Sequence, residues 1–228
     1  MTSTFFTSDT HFHHKNIVRG TSEWTDLSRC RDLDTLEEHD VRLVENINKT
    51  VKENDILYHL GDWSFGGIDQ IWNFRKQINC KTIHLVLGNH DHHIANNKLV
   101  QIKMPELLNI QSLFASVNQY IMNKKIGGQS MCLSHFSQRV WGKGHHGNWN
   151  LYGHSHGTLS DYHRFSRDEN EEFYWEMAGL PEDCKFKCMD IGVDAHPKFR
   201  PYHFDEIAEI MKKRIPLGGV DHHNENTN

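Results

Sequence analysis

A chain of 228 residues with 37% hydrophobic, 11% aromatic and 24% charged side chains is long enough for one sizeable α/β domain, and its net charge of −5 is too small for a disordered chain. No apolar run approaches the ~20 residues of a membrane helix; the best, Ile83 to Leu87, is interrupted by His84. The negative balance and the lack of a basic run argue against a protein held to nucleic acid mainly by counterion release.

Thr4 to Thr7 reads as a buried strand closing on Ser8 and Asp9. Asp34 to Lys52 reads as an amphipathic helix with Leu36, Leu43, Val44, Ile47 and Val51 on one face and a capping pair in Asp34 and Glu37. Asp55 to Leu60 is a second strand, Gly67 to Ile78 a second helix and Thr82 to Leu87 a third strand. This alternation favours parallel pairing with right-handed crossovers. From about Phe114 the rhythm changes. Val117 to Met122 and Gln129 to Leu133, joined through Gly127 and Gly128, predict an antiparallel hairpin. Asn150 to Tyr152 and Lys185 to Val193 supply further strands, and Phe204 to Arg214 a closing helix. Residues 1–215 form one domain on this reading, and 216–228 a polar tail.

Five cysteines (Cys30, Cys80, Cys132, Cys184, Cys188) are an odd number, and Met1 to His14 lack the basic start and apolar stretch of a secretory signal. Free thiols in a reducing, cytoplasmic setting are the expectation. Cys184 and Cys188 have no second Cys/His pair at finger-like spacing, which discounts a zinc finger. Histidine is the abnormal residue, with 19 copies. It is the commonest metal ligand, so the excess asks for a chemical reason beyond the polar His222 and His223.

Five segments place an Asp, Asn or His just after a predicted strand: Asp9-Thr10-His11, Gly61-Asp62, Gly88-Asn89-His90-Asp91, His135 and Gly153-His154-Ser155-His156. Ligand sites of open α/β sheets lie outside the carboxyl ends of strands, so the five can converge on one cleft. Residues two apart face one side if strand geometry continues, and in a turn both can reach one metal.

In this order the blocks resemble the signature of the calcineurin-like metallophosphoesterases, D-x-H, G-D, G-N-H-[DE], H, G-H-x-H, and the text around them looks like a compact bacterial or phage branch. Met189-Asp190-Ile191-Gly192-Val193-Asp194 looks like the late strand of that family. The resemblance implies a four-layer α/β/β/α sandwich with mixed sheets that holds two divalent metal ions. It implies that Asp9, His11 and His156 bind one metal, that Asn89, His135 and His154 bind the other, and that Asp62 bridges them. Mixed imidazole and carboxylate donors suit Mn²⁺ best, with Fe, Zn²⁺ or Ni²⁺ as alternatives. Two such ions ~3.5–4 Å apart can share a hydroxide and clamp a phosphoryl oxygen. His90 is then expected to be the general acid on the leaving oxygen, with Asp91 holding its ring. Phe65 stands where purple acid phosphatases carry a tyrosine ligand.

Around the blocks, His14, Asn16 and Arg19 are candidates for contacting the substrate phosphate. His145 and His146, in the Gly-rich stretch Trp141 to Trp149, are candidates for gripping a leaving group at the cleft mouth. Arg29 and Arg31 could contact the phosphate from the next loop, although a surface role is favoured; His59 reads as a buried supporting histidine and Asp161 to Glu172 as a solvated loop. The expected activity is hydrolysis of a phosphoester small molecule or nucleotide, with diesters such as cyclic nucleotides favoured. A nuclease of the same fold and a non-catalytic metal-binding scaffold are the alternatives. No membrane partner is expected, and the residues do not speak to oligomeric state.

Overall fold

Phe5, Leu57 and Ile83 lie side by side on neighbouring parallel strands, and Phe6 and Tyr58 do so on the opposite face. This period-two alternation sorts the core into two clusters. The structure, a computed structural model, describes residues 2–25, 27, 31–96, 99–100, 108–159 and 185–217. Cys30, Cys184, Arg29, the stretch Asp161 to Glu172 and the tail from Gly218 lie outside the described residues.

The first sheet has the order β11-β1-β2-β3-β6, built from β1 (Thr4–Thr7), β2 (Ile56–His59), β3 (Thr82–Val86), β6 (Ser116–Asn118) and β11 (Tyr202–His203). All its pairs are parallel except β11 with β1. The second sheet has the order β10-β9-β8-β7, from β7 (Ile121–Ile126), β8 (Gln129–Ser134), β9 (Trp149–Tyr152) and β10 (Cys188–Asp190). Only β7 with β8 is antiparallel there. The fold is thus an α/β sandwich of two mixed sheets. A small ladder of β4 (Leu99–Val100) and β5 (Leu108–Asn109) stands apart.

Helices α1 (Leu36–Thr50) and α2 (Ile68–Gln77) cover the outer face of the first sheet, burying Leu43, Ile47, Ile71 and Phe74 against Phe5, Leu57 and Ile83. The other face, with Phe6, Tyr58 and Val86, meets Met131, Leu133, Trp149, Leu151 and Met189 of the second sheet. The closing helix, numbered α4 (Phe204–Lys212) after the short α3 (His92–Ala95), adds Ile207 and Met211 to this inter-sheet core. On the second sheet's outer face, Cys132, Tyr152 and Cys188 are covered by Trp141, Phe186 and Leu217.

Two sequence expectations shift. The capping box of α1 is Thr35 with Glu38, one residue later than Asp34 with Glu37, because the Thr35 hydroxyl accepts the Glu38 N–H at 3.1 Å. The stretch Val117 to Met122 is not one strand. Val117 pairs with Leu85 in the first sheet, whereas Met122 pairs with Leu133 in the second. The chain changes sheets at Gln119-Tyr120. The hairpin itself forms as expected, Gly127 and Gly128 both taking positive φ (56° and 83°), the backbone that a two-residue turn requires.

Candidate metal centre

Each of the five blocks follows the carboxyl end of its strand: Asp9 after β1, Asp62 after β2, Asn89 after β3, His135 after β8 and His154 after β9. The first three strands belong to one sheet and the last two to the other, so the cluster spans the seam of the sandwich. Of the two geometries that the two-residue spacings allow, the turn and not a continuing strand brings the side chains together. Asp9, His11, Asp62, His154 and His156 have φ of 53°, 45°, 57°, 68° and 49°. Non-glycine residues avoid this left-handed region at a cost of about 1 kcal/mol or more, and such strain concentrates at functional sites. Gly88 and Gly153 permit the close approach. A Cβ on Gly88 would stand 2.2 Å from Asp62 Oδ1, and one on Gly153 would stand 2.5 Å from Asp9 Oδ2.

Two groups of donor atoms result, Asp9 with His11 and His156, and Asp62 with His135 and His154, each within 4.8 Å of one another. Asn89 joins the second, its Oδ1 being 3.0 Å from His135 Nε2. Asp62 Oδ2 lies 3.4 Å from His11 Nε2 and 3.5 Å from His135 Nε2, between the groups. An oxygen so placed is within reach of both groups.

The donor set fits cations. Asp9 is fully buried, and its Oδ2 accepts from the Ser8 hydroxyl and the His154 N–H, but its Oδ1 has no hydrogen-bond partner among the described residues. His135 Nδ1 faces the Leu60 carbonyl at 2.7 Å and must donate to it, so Nε2 turns a lone pair toward the Asn89 oxygen. Two acceptors face to face are what a positive ion between them would relieve. Burial pushes the Asp9 carboxyl up to about 8, against the opposing pull of His156, and raises Asp62 as well. Burial lowers His11 well below its ordinary value and His135 to about 4, so both imidazoles are neutral and carry free lone pairs at pH 7.

Behind the donors stands a layer that the sequence reading did not foresee. Arg31, expected at the surface, is 1% exposed. Its Nε donates to Asp194 Oδ2 at 2.9 Å, its other nitrogens reach His39 Nε2 and the Asp9 carbonyl, and Asp194 Oδ2 accepts from His156 Nδ1 at 2.8 Å. Burial opposes the Asp194 charge, yet Arg31 and His156 together hold its carboxyl far below the usual range, and Asp194 raises His156 despite that ring's own burial. A carboxylate on the far nitrogen fixes a metal-binding histidine's tautomer and leaves Nε2 free. Asp190 braces the last loops, accepting from Ser155, Gly157 and Gly192. The one signal for these acids was the late Met189-to-Asp194 block; Arg31, in the sequence a candidate phosphate contact or surface residue, is instead the buried partner of Asp194.

The remaining candidates divide. His90 stands at the cluster, its backbone N–H bonded to Asp62 Oδ1 at 2.9 Å and its ring edge-on to His11 at 5.5 Å. Asp91 does not hold that ring. Its oxygens accept the backbone N–H groups of Gly88, Asp62 and Trp63, which makes it the brace of the two loops that carry Asp62 and Asn89. His14 is 6% exposed and packs 4.0 Å from Phe65, and burial, then His90, lowers it to about 4. Asn16 gives its backbone N–H to His14 Nδ1. Arg19 is not available to a phosphate, being committed to the Thr25 and Leu27 carbonyls and to Asp32. His145 and His146 are at the wrong end of the sheet. Their turn packs on Trp141 and Leu217, and the adjoining Gly147 carbonyl takes a hydrogen bond from Gln129, the first residue of β8, whereas His135 follows its last. His59 is buried as expected, bonded to Thr10 and pushed down to about 3 by burial.

No family model matches the chain. An uncharacterised protein of Methanocaldococcus jannaschii, MJ1445, is 36% identical over 62 residues, which is 27% of this chain; the match spans 31% of that protein's length. The crystal structure of AQ665 from Aquifex aeolicus, a protein of unknown function, superposes with a TM-score of 0.56 at 18% identity, covering 92% of this chain and all of that one. The likeness concerns the fold.

Proposed function

We propose that the chain is a dinuclear metal phosphohydrolase of the calcineurin-like kind, and that it cleaves phosphodiesters in preference to monoesters. The observation that carries the reading is Asp62 Oδ2, set within 3.5 Å of a histidine from each donor group. Asp9, His11 and His156 would hold one cation, Asn89, His135 and His154 the other, and Asp62 both. Mn²⁺ suits this donor set best. When bound, such a pair supplies Lewis acidity toward a phosphoryl oxygen and a water of lowered pKa.

The chain's own groups supply the rest. Asp194 and the Leu60 carbonyl fix the tautomers of His156 and His135. His90, half-buried beside Asp62, is placed to donate a proton to the departing oxygen. No helix among the described residues is long and apolar enough to cross a membrane, and the buried thiols Cys80, Cys132 and Cys188 fit a cytoplasmic enzyme.

The test is metal analysis and turnover of Asp62→Asn across a panel of phosphoesters with Mn²⁺. An amide cannot neutralise two cations, so occupancy of both sites and nearly all turnover are lost. Two metals per chain with near-native turnover in that variant would overturn the assignment.

A further inference from the structure

Among the described residues, three of the large exposed hydrophobic side chains stand against this cluster. They are Trp24, Phe65 and Phe136, at 53%, 42% and 52% exposure. Phe65 packs 4.0 Å from His14 and 5.5 Å from His90, and Trp24 lies 6.0 Å from His14. Phe136 touches the other half, 4.6 Å from His154 and 4.9 Å from His135. Both phenylalanines are held by their backbones. Phe65 donates its N–H to the Phe12 carbonyl at 2.8 Å, and the Phe136 carbonyl accepts from the Ser134 hydroxyl at 2.9 Å. These rings stand half in water beside the histidines and belong to none of the buried hydrophobic clusters. Meanwhile Arg19 and Arg31 are both occupied elsewhere and offer no fork to a terminal phosphate.

We propose that Phe65 with Trp24, and Phe136 separately, form two stacking subsites for the planar groups on either side of one phosphodiester, as in a dinucleoside monophosphate. The proposal rests on the phosphohydrolase reading and narrows its substrate class. Stacking platforms need only a π face, so they recognise nucleobases without reading their identity. Because His90 stands beside Phe65, the nucleoside on the Phe65 and Trp24 side is the one that leaves. Water adds to phosphorus, the bond from phosphorus to that nucleoside's oxygen breaks, and His90 protonates the oxygen. A nucleoside departs, and a nucleoside monophosphate remains at Phe136.

The experiment compares Phe65→Ala, Phe136→Ala and a control, Tyr120→Ala, whose ring is 72% exposed. Metal-loaded full-length proteins are assayed on adenylyl-adenosine and on glycerophosphoglycerol, a diester without planar groups. The ratio of the two kcat/KM values falls by about 5- to 150-fold in each phenylalanine variant, the loss expected of one stacked base, and stays level in the control. Binding is read separately with a non-hydrolysable phosphonate analogue of the dinucleotide, which quenches tryptophan fluorescence; Trp24→Phe removes most of the quench. An unchanged ratio, or equal affinity for the phosphonate in wild type and both phenylalanine variants, overturns the subsites. If neither diester is hydrolysed but both variants lose phosphonate affinity, the subsites stand and the hydrolase reading falls.

Discussion

A carboxylate oxygen buried without a partner costs about 1–3 kcal/mol or more, a cost that a bound cation would offset. Asp9 Oδ1 is such an atom, and its surroundings make the residue-scale predictions concrete. Arg31→Met leaves the wholly buried Asp194 without its cation. Denaturant melts should show a loss of about 3–5 kcal/mol, the cost of breaking a buried pair, and manganese titration should show affinity about 10- to 100-fold weaker, because His156 is no longer oriented. Adding Asp194→Asn should return part of the stability and none of the affinity. His90→Ala is expected to lose about 10²–10⁴-fold in kcat on an alkyl or nucleoside ester and far less on a p-nitrophenyl ester, whose leaving group departs without a proton. Metal content should not change, and equal losses on both esters would remove His90 from the acid role.

At the scale of elements, the strand ends do the positioning and their glycines admit no Cβ. Gly153→Ala would push a methyl group against Ser8 Oγ at 2.1 Å and Asp9 Oδ2 at 2.5 Å. Calorimetry should show a lowered Tm, and metal analysis should show selective loss at the group containing Asp9, with the Asp62 group retained. The elements that carry donors were legible in the sequence because each is local. Thr4–Thr7 and the strands ending near Asp62 and Asn89 announce themselves by short apolar runs closing on polar residues. What could not be read is non-local. Arg31 meets Asp194 across 163 residues, and no spacing rule connects them. His145 and His146 lie between two donor blocks in sequence, yet that connection returns from the end of β8 to the start of β9 and so leaves the cleft. The junction at Gln119-Tyr120 was hidden because no Gly or Pro punctuates the chain between Ser116 and Ile126.

For the whole molecule, the donors are divided between the two sheets. Asp9 and His11 follow β1 of one sheet while His156 follows β9 of the other; Asp62 and Asn89 face His135 and His154 in the same way. A cation in either group therefore ties sheet to sheet. Saturating Mn²⁺ should raise stability by about 2.7 kcal/mol for each occupied group at a hundred times its dissociation constant, and EDTA should remove that gain; an unchanged Tm would mean that no cation binds the folded chain alone.

Time enters through the same division. During synthesis, Asp9, His11, Asp62 and Asn89 emerge well before His135, His154 and His156, so neither metal group is complete until the second sheet has been made and docked. Metal capture is then the last event of folding and keeps its pace. In stopped-flow refolding, the rate of Mn²⁺ uptake should equal the rate of burial of the inter-sheet Trp149 and stay flat as the metal concentration rises. An uptake rate that climbs with concentration would mean that a nascent half-site, belonging to one sheet, takes the ion first.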